Sequence, residues 1–337
     1  MNRPITIMEV CGTHTMAIAR QGLKKLFPPG VRMVSGPGCP VCVTPIADID
    51  HAIEIAKIPD VIIATFGDMM RVPGSSTSLE AVKVAGSDIR VIYSPVDALE
   101  IATAHPDKKI VFIGVGFETT SPAIASTVMI ARKKHITNFF VLPLFKTVPA
   151  ALKTLMTADS EIDGFLLPGH VSAIIGMRPY EYIARDYGMP GVIAGFEAQD
   201  ILRSVNRIVA MIRTKSPSIV NDYTRVVHAK GNLAAQRILA EVFTPNDSRW
   251  RAIGIIPDSG FGFTDKYHVF DAGKVFKVKL PPTREPKTCR CGAIMMGKME
   301  PRQCPLFAEK CTPAHPIGPC MVSSEGVCAA EHTYGTL

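Results

Sequence analysis

The sequence predicts an α/β protein made of two parallel-sheet halves and closed by a smaller, cysteine-rich C-terminal domain. Three observations carry that expectation. Short apolar, β-branched runs alternate with longer amphipathic stretches from residue 5 to about 213, the rhythm of strands crossed over by helices. The rhythm breaks around Ser216–Asp222. The nine cysteines are lopsided: three precede Val43, six follow Thr288, and none lies between.

Strands are expected at Ile5–Val10, Val31–Val34, Val61–Phe66 and Arg90–Tyr93, then at Ile110–Val115, Phe139–Leu144, Gly164–Leu167 and Gly191–Ala194. Helices fill the gaps at Thr15–Leu26, Ile46–Lys57, Pro95–Ala104, Pro122–His135, Pro149–Met156, Tyr180–Tyr187 and Ala198–Arg213. Two sets of four strands divide the chain into expected domains 1–107, 108–215 and 216–337, with no strong residue-level repeat between the first two. In the third, Leu233–Phe243 reads as a helix and Ala252–Ile256 as a strand entering the turn Pro-Asp-Ser-Gly. Pro281, Pro282 and Pro286 mark a hinge into a tail rich in Pro and Gly. Such a tail builds little core and calls for a metal centre to hold it.

Composition excludes several classes. At 47% hydrophobic and 20% charged residues, the chain buries large cores and is not disordered. Its longest apolar runs, such as Val61–Phe66 and Phe139–Phe145, are strand-sized and fall short of the roughly 18 residues of a membrane span. The opening Met-Asn-Arg-Pro-Ile-Thr lacks the apolar core of a signal peptide. A soluble cytoplasmic protein without a membrane partner is expected. The net charge of +7 comes from short clusters beside helix ends (Lys24-Lys25, Lys108-Lys109, Arg132-Lys133-Lys134), and only 7% of residues are aromatic, so no nucleic-acid footprint is present. Gly114-x-Gly116 lacks the rest of a dinucleotide fingerprint and there is no P-loop, so nothing supports nucleotide binding.

Ligands of open α/β sheets bind outside the carboxyl ends of the strands. The unusual polar residues gather there: Cys11-Gly-Thr-His14-Thr, Ser35-Gly-Pro-Gly-Cys39-Pro-Val-Cys42, Gly67-Asp68, Gly116-Phe-Glu118-Thr-Thr, Lys146-Thr147, Pro168-Gly-His170-Val-Ser172 and Gly195-Phe-Glu197. If the halves face each other, these loops line one crevice.

Cys39-Pro-Val-Cys42 can close a short disulfide or supply half of a zinc site. Cys11-x-x-His14 has metal-ligand spacing and follows a strand directly, where a strand-to-helix turn exposes a side chain. Glu118 precedes Thr119, Thr120 and Ser121, whose hydroxyls suit N-capping but leave the acid unexplained. His170 reads either as a satisfied loop histidine or as a proton carrier or ligand. The tail carries Cys289, Cys291, Cys304, Cys311, Cys320 and Cys328. Four thiolates suit a [4Fe–4S] cluster or structural zinc; wide, irregular spacing without two Cys-x-x-Cys knuckles favours iron–sulfur.

Together the motifs resemble the HypD family of hydrogenase maturation proteins. The resemblance lies in Met8-Glu-Val-Cys-Gly-Thr-His-Thr, Ser35-Gly-Pro-Gly-Cys-Pro-Val-Cys-Val-Thr-Pro, Gly116-Phe-Glu-Thr-Thr-Ser-Pro, Leu167-Pro-Gly-His-Val-Ser and Met321-Val-Ser-Ser-Glu-Gly-Val-Cys-Ala-Ala, in family order over nearly the whole chain. It implies two facing parallel-sheet α/β domains plus a C-terminal iron–sulfur domain. It also implies an assembly scaffold with redox activity, working with a small HypC-type partner while iron acquires cyanide and carbon monoxide. The cyanide comes from a HypE-type donor acting with HypF, and the finished Fe(CN)2CO unit passes to the large subunit of a [NiFe] hydrogenase.

Carried over residue by residue, the resemblance makes Cys11 the iron-holding thiolate shared with the partner, and Cys39 with Cys42 the redox dithiol. The tail cysteines would hold the [4Fe–4S] cluster, with Cys291, Cys304, Cys311 and Cys328 preferred and Cys289 and Cys320 as alternates. His14, Glu118 and His170 would supply protons or hydrogen bonds to the diatomic ligands. The chain departs from the family in starting almost at the first motif, where members carry a longer leading segment. It departs again in continuing Glu-His-Thr-Tyr after Cys328-Ala-Ala, where the family tends to place aromatics. A second reading is a stand-alone thiol–disulfide reductase, resembling ferredoxin–thioredoxin reductase in arrangement only. Cys11-x-x-His14 discriminates, since a pure reductase has no use for it. A third is a zinc-stapled binding protein.

Overall fold

The computed structural model describes residues 3–157 and 161–335. In chain order its strands are β1 (Ile5–Glu9), β2 (Val31–Ser35), β3 (Val61–Thr65), β4 (Asp88–Val91), β5 (Lys109–Gly116), β6 (Phe139–Phe145), β7 (Gly164–Pro168), β8 (Gly191–Ala194), β9 (Ile219–Asn221), β10 (Phe243–Trp250) and β11 (Gly254–Phe263). Every strand expected from the sequence up to Ala194 is found, with ends within two residues. Helices separate almost all of them. The inner parallel strands β3, β5, β7 and β8 are short apolar runs buried on both faces, as a helix-covered sheet requires, whereas the edge strands β2, β4 and β9 are only partly buried.

The chain folds as two compact units, each assembled from separated segments. The first comprises residues 1–42, 148–233 and 288–337; the second comprises 43–147 and 234–287. The expected boundaries at 107/108 and 215/216 are therefore replaced. Both cut through a sheet, because β4 and β5 share one and β8 and β9 share the other. Parallel strands need not be consecutive: the chain leaves the first sheet after β2 and returns at β7, and strand-by-strand reading cannot see such an excursion.

The first unit holds a five-stranded parallel sheet, β2-β1-β7-β8-β9. Met8 pairs with Val34 on one side and Phe165 on the other, and Leu166 with Val192. Helix Ala198–Arg213 lays a stripe of Ile201, Val205 and Ile208 against this sheet, all fully buried. The approach is close at Gly164, where a Cβ would stand 2.7 Å from Ile208 Cγ2. The cysteine-rich tail packs within this unit and forms no domain of its own. Its last helix, Val327–Tyr334, runs along Gly12–Arg20, and its turn at Gly297 (φ +69°) rests on Met8 and Val34.

The second unit holds a four-stranded parallel sheet, β4-β3-β5-β6, and the antiparallel pair β10-β11. The pair attaches to β6 through Thr147 N–H to the Ser259 carbonyl (2.9 Å) and through Phe145 against Phe243 (4.9 Å). Neither β9 nor β10 was expected: β10 reads Thr-Pro-Asn-Asp-Ser-Arg, polar on both faces and unlike a strand. The expected turn Pro257-Asp-Ser-Gly260 instead lies inside β11, as a bulge. Asn246 pairs with Gly260 and Ser248 with Ile256, so three residues oppose one and Pro257 needs no ladder donor. The first helix starts earlier than expected, at Gly12, and ends at Arg20; left-handed Gly22 (φ +63°) separates it from the 3-10 turn Leu23–Leu26.

Ile208→Ala is expected to cost about 2–5 kcal/mol in urea unfolding, because it leaves a cavity between helix and sheet. Asn206→Ala, on the exposed face of the same helix, is expected to stay within about 0.5 kcal/mol.

Candidate functional site

The order β2-β1-β7-β8-β9 places a topological switch between β1 and β7, where successive loops leave in opposite directions and an open sheet presents its ligand site. The loop after β1 carries Cys11 and His14; the loop after β7 carries His170. The loop after β2 is held against them by backbone contacts. Gly36 N–H donates to the Glu9 carbonyl (2.7 Å) and Gly12 N–H to the Gly38 carbonyl (2.8 Å). A Cβ at Gly38 would lie 2.5 Å from the carbonyl carbon of Val10, so no side chain fits there. That apposition delivers Cys39 and Cys42 beside the Cys11 loop.

Cys11 is the N-cap residue of helix Gly12–Arg20; its sulfur makes no cap hydrogen bond, although the nearby N–H groups of His14 and Thr13 favour its thiolate. Contrary to expectation, the side chain is not exposed: Cys11 shows 8% of its surface. The tail covers it, Glu325 lying so close that a Cβ on Gly12 would stand 2.5 Å from Glu325 Cβ, while Thr13 Oγ1–H donates to Glu325 Oε1 (2.6 Å). Burial, and then the Glu325 charge, push the Cys11 thiol up to about 12 against the pull of the His14 N–H. The thiol is protonated at neutral pH, and any metal it takes must displace that proton.

Below Cys11 lies Glu9, 1% exposed in an otherwise apolar strand. Its Oε2 accepts Cys11 N–H (3.1 Å) and its Oε1 the Thr15 hydroxyl (2.5 Å), with Ser35 as a further partner. Burial pushes its carboxyl up to about 7 against those bonds. Glu9 was missed in the sequence, although a lone acid between Met8 and Val10 is itself a signal.

His14 is fully buried, and burial lowers its imidazole to about 4, so it is neutral at physiological pH. Its Nε2 lies 3.0 Å from the Gly195 carbonyl, which assigns the proton to Nε2; Nδ1 is buried without a partner. His170 is exposed at its edge and stacks on Phe196 at 4.1 Å, and His14 packs on the same ring at 4.6 Å. Burial lowers His170 from its ordinary value while Glu325 opposes this.

Cys39 and Cys42 are both buried, with Sγ atoms 2.7 Å apart and Cys42 donating; Cys39 Sγ also accepts Cys42 N–H at 3.3 Å. The thiol contacts continue into the tail. Cys320 donates to Cys42, Cys291 to Cys320 and Cys328 to Cys291, so five sulfurs stand in single file. Burial holds Cys42 well above the ordinary thiol range. Cys320 is likewise raised: the bond from Cys291 pulls it down but is outweighed by the bond to Cys42 and by burial. Cys328 is raised by its bond to Cys291 and by burial.

Cys289, Cys291, Cys304, Cys311 and Cys328 line one small cavity with Ile294, Leu306, Phe307 and Met321. A Cβ at Gly318 would stand 2.7 Å from both Cys289 Sγ and Cys291 Sγ. The preferred set of four thus shares a cavity with the alternate Cys289, whereas Cys320 belongs to the file. The cavity measures about 10 Å³, about one water, so the thiols must turn outward to admit a larger group. Among the described residues no three His, Cys, Asp or Glu converge as they would around a single ion. A four-iron cluster asks for something different, one thiolate on each iron.

Glu118 belongs to the second unit, following β5, and is 3% exposed. Neither expected cap forms after it: Thr120 makes no side-chain cap and the Ser121 hydroxyl turns back to the Phe117 carbonyl (2.9 Å). Lys146, also in the second unit, is fully buried, donates to Ser248 Oγ (2.7 Å) and lies 3.7 Å from Asp48.

The HypD family model, described as the hydrogenase formation hypA family, matches residues 1–335. The chain belongs to the HypD family. It is similar to the hydrogenase maturation factor HypD of Rhodobacter capsulatus, at 46% identity over 339 residues covering 99% of this chain and 90% of the relative. It is equally similar to HypD of Escherichia coli, at 46% over 334 residues covering 98% and 90%. A putative hydrogenase expression/formation protein of Methanocaldococcus jannaschii matches at 39% over 330 residues, covering 98% and 92%. HypD membership gives the chain a role in hydrogenase maturation. No helix among the described residues is long and apolar enough to cross a membrane.

The raised Glu9 carboxyl makes a signed prediction. The folded state holds this proton more tightly than the unfolded chain, so stability falls as pH rises from about 4.5 to about 7. Glu9→Gln is expected to remove that decline, the gap between the two denaturation-versus-pH curves changing by on the order of 3 kcal/mol. Parallel curves would contradict the burial argument.

Proposed function

We propose that the protein is a scaffold and redox partner on which the Fe(CN)2CO unit of a [NiFe] hydrogenase is assembled, before delivery to the hydrogenase large subunit. The observation that carries this reading is the single file of sulfurs from Cys39 through Cys42, Cys320 and Cys291 to Cys328, set beside a separate buried thiol, Cys11.

Cys11 holds the iron being built. Soft thiolate suits low-spin iron, and the N–H groups of Thr13 and His14 favour the thiolate once its proton has left. The burial that keeps the thiol protonated beforehand also keeps water away from it. A small HypC-type protein supplies a second cysteine, and a HypE-type protein supplies cyanide. Because Glu325 and the tail cover Cys11, docking includes a movement that uncovers it.

Cys39 and Cys42 act as a dithiol. Closing the pair joins the two sulfurs and releases two protons and two electrons; opening it takes them up again. The donor set beyond them fits a [4Fe–4S] cluster: five thiols line one cavity with apolar neighbours, and no neutral oxygen or nitrogen side chain competes. Cys291, Cys304, Cys311 and Cys328 would hold it, with Cys289 as the fifth thiol of that cavity. When bound, such a cluster supplies one-electron capacity. His170, near His14 on Phe196, offers a hydrogen-bonding group to the diatomic ligands.

The alternative, a stand-alone thiol–disulfide reductase, has the sulfur file in its favour and leaves Cys11 idle. Cys11→Ala separates the two. The scaffold reading expects hydrogenase maturation in a complemented deletion strain to fall to background, with the melting temperature and the iron and sulfide of the tail unchanged. Maturation that survives the substitution removes Cys11 from the assignment.

A further inference from the structure

Gly195 and Phe196, consecutive residues after β8, hold His14 at two places. The Gly195 carbonyl accepts from the Nε2 edge (3.0 Å), and the Phe196 ring packs on the imidazole face (4.6 Å, 34°). Neither contact suffices alone. A single hydrogen bond leaves the ring free to swing about it, and a ring stack does not say which nitrogen carries the proton. Together they set plane and tautomer, leaving the partnerless Nδ1 as a buried lone pair. The grip is itself braced: Phe196 meets Tyr223 edge-on (5.9 Å, 83°), the Arg225 guanidinium covers Tyr223 at 4.6 Å, and Arg225 is paired to buried Asp200. Gly195 has no room for a side chain, because a Cβ would meet Tyr223 at 2.9 Å and Asp200 closer still.

We propose that Phe196 is a positioning residue which, with the Gly195 carbonyl, locks His14 in its Nε2–H form so that the site receives an acceptor at Nδ1 and not a donor. The consequence deepens the assembly reading, on which it rests. Cyanide nitrogen and carbonyl oxygen are acceptors, so neutral His14 has no free proton for them. It addresses a group that brings its own hydrogen, such as a thiol, a water or an amide of a docking protein. A backbone carbonyl that fixes one imidazole nitrogen so as to define the other is a general device of histidine sites, and loss of such support costs about 10–100-fold in function.

The test uses the full chain, prepared anaerobically with ¹⁵N-histidine. The wild-type protein is expected to show a His14 signal with Nε2 protonated and Nδ1 bare. Phe196→Tyr is expected to keep both that signal and hydrogenase maturation. Phe196→Leu retains apolar bulk without a ring face; it is expected to average the two tautomers and lower maturation about tenfold or more, at unchanged melting temperature and iron content. A wild-type signal with Nδ1 protonated overturns the proposal without recourse to any variant. So does Phe196→Leu with an unchanged tautomer, or with a changed tautomer and full maturation. Failure of the assembly reading is distinguishable, because Cys11→Ala would then still mature hydrogenase whatever the state of His14.

Discussion

The close apposition of Gly36–Gly38 to Val10–Cys11 is the constraint from which the rest of the site follows. Two backbones meet where any side chain would keep them apart, and reciprocal N–H to carbonyl bonds at 2.7 and 2.8 Å fix the register. Because β1 and β2 are neighbours, the loops at their carboxyl ends are already adjacent; the glycines remove the last separation. A lone thiol and a dithiol thereby enter one environment before any tertiary contact with the tail is considered. The tail then closes over both, with Glu325 above Gly12 and Cys320 against Cys42.

Burial is the second theme. Cys11, Cys39, Cys42, Cys320 and Cys291 are all below a tenth exposed, and at Cys11 and Cys42 burial disfavours the thiolate. Sulfurs kept protonated and shielded are slow to oxidise or to take stray metal. They become reactive only when a metal displaces the proton or a neighbouring sulfur takes it up. The Glu9 carboxyl and the His14 imidazole obey the same rule in opposite directions, each driven toward its neutral form. Apart from Glu325, the ionisable groups nearest Cys11 are thus held in their neutral forms.

Much of this was legible in the sequence. The strands from Ile5 to Ala194 announce themselves as short runs rich in β-branched and apolar residues, most clearly where, as in β3, β7 and β8, they are buried on both faces. Cys11, His14, Cys39, Cys42 and His170 stand out as candidates because polar residues after such runs fall at the carboxyl edge of the sheet. The division into units was not legible, since strand order is set by crossovers that leave no local mark. Nor was β10, whose polar residues alternate with no apolar face, nor the bulge at Pro257–Ser259, which reads as a turn. Glu9 and Phe196 escaped for different reasons. Glu9 was hidden inside a motif dominated by its cysteine, and Phe196 looks like any core aromatic until its two histidine neighbours are seen. The contacts of Cys320 with Cys42 on one side and Cys291 on the other leave no mark in the sequence spacing.

The most direct test of the central claim is an iron, sulfide and zinc analysis of protein purified without air after co-expression with its maturation partners, combined with an infrared spectrum of the same sample. The account predicts about four to five irons per chain, matching sulfide, and absorptions in the cyanide and carbonyl stretching region. Zinc without sulfide, in protein never exposed to air, would contradict it.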